Sequence, residues 1–161
     1  MSMNANNAPE PELDSLYREV ILEHYRDPRG RERLEHETAR AEGLNPSCGD
    51  EVDMAIHIEN GRCTGIHVDS MGCAISVASG SILFDLVENR PLEEVRAVLA
   101  AVRQVLHGGE MPEEPDLGDF DALEGVKQFP VRIKCALLPW TTLEEALRRA
   151  EEQATANRSS T

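Results

Sequence analysis

Asn60-Gly61 separates two runs of alternating apolar and polar residues, and this arrangement leaves the middle of the chain few ways to fold. Before it, Val52, Met54, Ile56 and Ile58 alternate with Asp53, Ala55, His57 and Glu59. A period of two puts the first set on one face of a strand and the second on the other. Asn followed by Gly suits the two positive-φ positions of a type I′ turn, so Arg62–Ser70 is expected to return antiparallel, with Ile66 and Val68 facing the core. The same parity turns His57 and His67 outward as solvated sheet histidines. It also assigns Cys63, an odd number of residues from Ile66, to the His67 face, away from any site at the far strand end; a bulge at Gly65 would reverse that placement.

Helical periodicity flanks this hairpin. Asp14 and Ser15 can cap a first helix carrying Leu16, Tyr17, Val20, Ile21, His24 and Tyr25, which Asp27-Pro28 ends. The basic cluster Arg26, Arg29, Arg31 and Arg33 follows, readable as a solvated turn or as a docking element for an acidic surface. Thr38–Leu44 is a short strand candidate, bringing the sheet to about three strands. Ala74–Val87 reads as a helix of small residues, and Pro91 as the first position of an amphipathic helix that Gly108-Gly109 stops. Glu110–Gly125, with seven acids, two prolines and no base, reads as a mobile, solvated loop. Val131–Leu138 reads as helical, which places Arg132 and Cys135, three apart, on one face. Thr142-Leu143-Glu144-Glu145 is a capping box opening a last helix. The expectation is α+β: a small antiparallel sheet packed against several helices, one domain over 13–153, and disordered tails at 1–12 and 154–161.

Charge narrows the function. With 16 Lys and Arg against 30 Asp and Glu, a net −14, nothing would release counterions from a nucleic acid, and an anionic membrane is excluded for the same reason. Residues 1–12 hold no apolar run resembling a secretory signal, and no stretch approaches the roughly 20 apolar residues that span a bilayer, so a cytoplasmic setting is expected. In that compartment the four cysteines read as reduced ligands or reactive thiols, not as a disulfide framework.

Asn45-Pro46-Ser47-Cys48-Gly49-Asp50 puts a thiol and a carboxylate two residues apart, with Pro46 stiffening the entry and Gly49 free to bend between them. Cys73 follows Gly72 at a strand-to-helix junction, where unpaired N–H groups favour a thiolate. With Cys135 the set becomes three thiolates and one carboxylate, sufficient for tetrahedral Zn²⁺. The intervals are far longer than those of a zinc finger, so the fold must gather the ligands. Three thiolates and a carboxylate around Zn²⁺ leave a charge near −2, which Arg132 beside Cys135 could offset.

The three cysteine segments Asn-Pro-Ser-Cys48-Gly-Asp50, Gly72-Cys73-Ala-Ile-Ser-Val-Ala-Ser79-Gly-Ser81 and Arg132-Ile-Lys134-Cys135-Ala-Leu-Leu-Pro-Trp140 resemble those of the NifU N-terminal/IscU/SufU proteins of iron–sulfur cluster biogenesis. The likeness runs from about Leu16 to Leu147 and includes the first helix. Lys134, where IscU-type scaffolds have His, and the segment from Pro91 to Gly125 are similar to the SufU branch, while Gln128-Phe129-Pro130-Val131-Arg132 keeps only part of the IscU chaperone-docking motif. The resemblance implies an IscU/SufU-like fold and a zinc-dependent sulfur acceptor working with a SufS-type cysteine desulfurase and downstream iron–sulfur assembly proteins. In the mechanism it implies, a desulfurase histidine takes a place on zinc and releases Cys48 as sulfur acceptor. Asp50, Cys73 and Cys135 then retain the metal, and Arg132 partners Asp50 or neutralises the site during the exchange. A scaffold assembling a [2Fe–2S] cluster on the same ligands is the alternative, and a purely structural zinc module a third.

Overall fold

A computed structural model describes residues 15–159. Its elements are α1 (Ser15–Arg26), β1 (Ala39–Asn45), β2 (Asp50–Glu59), β3 (Arg62–Met71), α2 (Ala74–Val87), β4 (Arg90–Pro91), α3 (Leu92–Leu106), a 3₁₀ segment (Gly118–Gln128) and α4 (Pro130–Ser159). The strands form one antiparallel sheet in the order β1-β2-β3-β4. The expected α+β class, with a small sheet against several helices, is what is found. The sheet has four strands instead of three, because Arg90 and Pro91 pair with Cys63 and Arg62 before α3 begins. The expected tail at 1–12 lies outside the described residues, whereas at the other end α4 stays helical to Ser159, past the boundary at 153.

The hairpin forms as its turn residues dictate, with Asn60 and Gly61 at φ 53° and 73°. Val52, Met54, Ile56, Ile66 and Val68 are buried in the core beneath α2 and α4. Parity fails at one place. The pairing shifts between His57↔Gly65 and Ile58↔Cys63, so Thr64 is the extra residue of a bulge. Cys63 is thereby rotated into the core and fully buried, the reverse of the outward placement. His67 is buried too, not solvated: the chain after α1 runs along the open edge of β3, where Gly30 O accepts from Val68 N (2.8 Å) and Glu32 O meets His67 Nδ1 (3.0 Å). Within the same segment, Arg29 pairs with Asp85 and Arg31 with Asp69. Two of the clustered arginines thus tie the segment down and close a strand edge.

Two other expectations are corrected. Gly118–Gln128 is structured: Leu117, Phe120, Leu123 and Val126 are buried, and Tyr17 Oη donates to Asp121 (2.9 Å) while His24 bridges Ser81 Oγ (2.6 Å) and Asp119 (2.9 Å). Asp119 and Asp121 reach α1, and the apolar residues between the acids recur every third position, the 3₁₀ period. Nor does a new helix begin at Thr142. α4 passes through Pro139, and Thr142 Oγ1 donates back to Leu138 O (2.8 Å), so the capping-box residues serve the interior of one helix.

Candidate metal centre

The site lies at one end of the sheet, where the β1–β2 turn, the end of β3, the start of α2 and the first turns of α4 converge. Asn45 O accepts from Cys48 N (3.2 Å) and Gly49 N (2.8 Å), and Gly49 sits at φ 74°, so the turn lifts Cys48 into solvent and returns Asp50 to the sheet. Asp50 is completely buried. Its Oδ1 accepts from Cys73 N (2.9 Å), the N-cap position of α2, and its Oδ2 lies 3.9 Å from Cys73 Sγ. A Cβ on Gly72 would come within 2.1 Å of Asp50 Oδ1 and 2.9 Å of Asp50 Cα, and φ there is 134°. Only glycine allows the carboxylate this seat.

Cys135 is buried one turn and a half into α4, its Sγ 3.4 Å from Cys48 Sγ. Cys48, Asp50 and Cys135 present ligand atoms all within 4.8 Å of one another, and Cys73 adjoins them through Asp50. A clasp sets the distance between the two cysteine-bearing helices: Ser79 Oγ donates to Ala136 O (2.6 Å) and accepts from Trp140 Nε1 (3.0 Å). The four residues singled out from the sequence are therefore brought together.

The chemistry of this donor set calls for a cation. Burial, and then the adjoining Asp50, Cys48 and Cys73, push the Cys135 thiol far above its ordinary range, because so many incipient anions cannot ionise side by side. A divalent ion reverses that logic and holds thiols as thiolates. Three sulfurs and one carboxylate oxygen fit Zn²⁺, for which softer thiolates and a single harder oxygen are common ligands. Cys63 stands apart as a core residue; burial pushes its thiol up to about 11, and its Sγ contacts Gly65 O.

Arg132 is exposed on α4 and has no ion pair with Asp50 among the described residues. Lys134 is the cationic side chain beside Cys48: with Ser47, Cys48, Pro130 and Val131 it lines a cavity of about 220 Å³. Neither Lys134 nor Gly72 drew a site role from sequence reasoning, although a glycine directly before a ligand at a strand-to-helix junction signals close approach.

The NifU-like N-terminal domain model matches residues 16–136. The chain is 34% identical to the zinc-dependent sulfurtransferase SufU of Bacillus subtilis, over 94% of this chain and 98% of that protein. It is 33% identical to the iron–sulfur cluster assembly scaffold protein IscU of Streptococcus pyogenes, over 86% of each. Among solved structures, an iron–sulfur cluster assembly scaffold protein for the SUF system of Fervidobacterium islandicum superposes with TM-score 0.74 at 29% identity, covering 80% of this chain and 94% of that one. The N-terminal part of a NifU-like protein of Brucella abortus does so with TM-score 0.78 at 26% identity, covering 87% and 97%. With the family model spanning most of its length and a SufU matched nearly end to end, the chain belongs to the NifU-like N-terminal domain family.

Proposed function

We propose that this protein is a zinc-dependent sulfur acceptor of iron–sulfur cluster biogenesis, taking persulfide sulfur from a SufS-type cysteine desulfurase onto Cys48. The observation that carries this reading is the unequal mounting of the ligands. Asp50 and Cys135 are buried and anchored in β2 and α4, whereas Cys48 is exposed on a glycine-backed turn. A ligand that must leave the metal and meet a partner's sulfur needs that freedom; ligands that keep the metal need the opposite.

Asp50, Cys73 and Cys135 would hold Zn²⁺ with Cys48, and the ion supplies a thiolate that is deprotonated yet held until exchange. The surroundings suit a protein partner. Leu44, Met71 and Val131 are 61%, 50% and 67% exposed, and all three stand on the segments that build the site. Exposed apolar groups around a reactive thiol are anchors for docking. Lys134, beside Cys48, is placed to face an anionic perthiolate. The similarity to a protein named zinc-dependent sulfurtransferase supports the same reading.

The relatives named as scaffolds support a second reading, assembly of a [2Fe–2S] cluster on the same four residues. Metal content and the visible spectrum separate the two, and incubation with a SufS-type desulfurase and cysteine, followed by peptide mapping of persulfide, tests which thiol accepts sulfur. Persulfide is expected on Cys48 and absent in Cys48→Ser. Persulfide confined to Cys73 or Cys135 contradicts the assignment.

A further inference from the structure

Cys48 and Cys135 are unlike thiols in contact: one exposed on a turn, the other buried on a helix, with Sγ atoms 3.4 Å apart. A disulfide requires an S–S distance near 2.05 Å, so the pair has to close by about 1.4 Å. The turn permits this, since Gly49 is at φ 74° and nothing lies within 4 Å of where its Cβ would be. The other thiols are placed differently. Cys73 adjoins Cys135 too, but its Sγ lies on Asp50 Oδ2 (3.9 Å), and Cys63 lies in the core on Gly65 O.

We propose that the Cys48–Cys135 pair is a built-in reductant that discharges a Cys48 persulfide as sulfide whenever Cys135 is not engaged by metal. The inference rests on the reading of Cys48 as sulfur acceptor. Cys135 Sγ faces Cys48 Sγ, which becomes the inner sulfur of the persulfide. Attack there forms the Cys48–Cys135 disulfide and breaks the persulfide S–S bond. The terminal sulfur of the anionic perthiolate takes up the proton of the Cys135 thiol as the new bond forms, leaves with the electron pair of the broken S–S bond and departs as hydrosulfide. The sulfane sulfur gains two electrons and the two thiols lose two, so no outside reductant is needed. A Cys135 sulfur bound to a cation shares a lone pair with the metal and is held in its coordination geometry, which makes it the poorer nucleophile for this attack. Metal retention therefore decides whether the chain carries sulfur onward intact or releases it once as sulfide and stops as a disulfide.

The full chain is loaded with persulfide in two ways, by a SufS-type desulfurase with cysteine and by inorganic tetrasulfide, and cleared of excess donor without oxygen. It is then held with saturating zinc or with a zinc chelator. Released sulfide is assayed, and peptides are mapped without reductant. The chelated protein should release sulfide and accumulate the Cys48–Cys135 disulfide in equal amounts, while the zinc-saturated protein keeps its persulfide. Cys135→Ser should release sulfide slower by on the order of tenfold or more, and Cys63→Ala as fast as the parent. The disulfide map of the unaltered chain decides the matter even where Cys135→Ser folds poorly. Sulfide without that disulfide, a Cys48–Cys73 disulfide instead, or persulfide that persists on Cys48 in the chelated parent would overturn the inference. Discharge after tetrasulfide with no loading from the desulfurase would uphold it while removing the proposed function.

Discussion

Asp50 keeps its place at the sheet end because residue 72 has no side chain. A methyl group there meets both the carboxylate and the Asp50 backbone, and φ of 134° is strained for any residue with a Cβ. Gly72→Ala should therefore lower stability by about 1–3 kcal/mol and displace the carboxylate, read as zinc loss in a competition titration with a chromogenic chelator. Cys63→Ala should separate stability from metal binding. It removes a buried sulfur from the core for about 1 kcal/mol, read by urea unfolding, and leaves metal content unchanged. At this scale the four candidate ligands were legible because each sits in a short local context: a Pro-Ser-Cys-Gly-Asp turn, a Gly-Cys junction and a helical Arg-x-x-Cys. Cys63 was misplaced because one unpaired residue, Thr64, inverts strand parity, and no composition rule marks which residue a bulge will extrude. The pairing of Arg132 with Asp50, a role during ligand exchange, came from resemblance; in this structure Asp50 accepts from the Cys73 amide.

Helices hold the site in register, and their contacts make the family-like motifs physically intelligible. Ser79 and Trp140 lie six and five residues beyond Cys73 and Cys135, and their hydrogen bonds fix how deeply α2 and α4 overlap. Ser79→Ala leaves the buried Trp140 N–H and Ala136 carbonyl short of a partner, a loss of about 1–3 kcal/mol. It should also weaken zinc retention without touching a ligand, measured by the same chelator competition. The 3₁₀ segment packs Phe120 edge-on against Trp140, with centroids 6.0 Å apart at 83°. Phe120→Ala should cost about 3–5 kcal/mol, which unfolding by denaturant would read directly; a mobile acidic loop would lose nothing. The hairpin and the helices Ala74–Val87 and Leu92–Leu106 were legible because turn chemistry and periodicity agree there. The segment from 117 to 126 was obscured by its acids, two of which bond to α1 while the apolar residues between them enter the core. The two-residue strand β4 is set by a tertiary partner, and no local preference announces it.

Across the whole molecule the acidic balance is managed by a few clustered bases. Arg40 pairs with Glu37 and Asp53 on the outer face of the sheet, where His67 Nε2 also faces Asp53 at 3.4 Å. Arg40 lowers the Glu37 carboxyl; burial alone would raise Asp53, but Arg40 and His67 outweigh it and hold it below its ordinary 3.8. Groups depressed in this way stabilise the fold above their unfolded values and lose that stabilisation as pH falls through the folded ones. Stability should thus decline below about pH 4.5, the ordinary value of Glu37, and Arg40→Met should flatten that decline in unfolding curves taken from neutral to acid pH. No helix among the described residues is long and apolar enough to cross a membrane. What the sequence could not supply was the gathering itself: candidate ligands from 48 to 135 in the chain meet only because the sheet end, α2 and α4 converge.

The claim that most needs testing is that this convergence makes one zinc site of three sulfurs and an oxygen. X-ray absorption at the zinc edge, on protein purified without added metal and quantified for zinc and iron, tests it. The account predicts about one Zn²⁺ per chain with three sulfurs near 2.3 Å and one oxygen near 2.0–2.2 Å, and one fewer sulfur in Cys48→Ser. Stoichiometric iron with visible charge-transfer bands, or zinc whose sulfur shell is unchanged in Cys48→Ser, would contradict it.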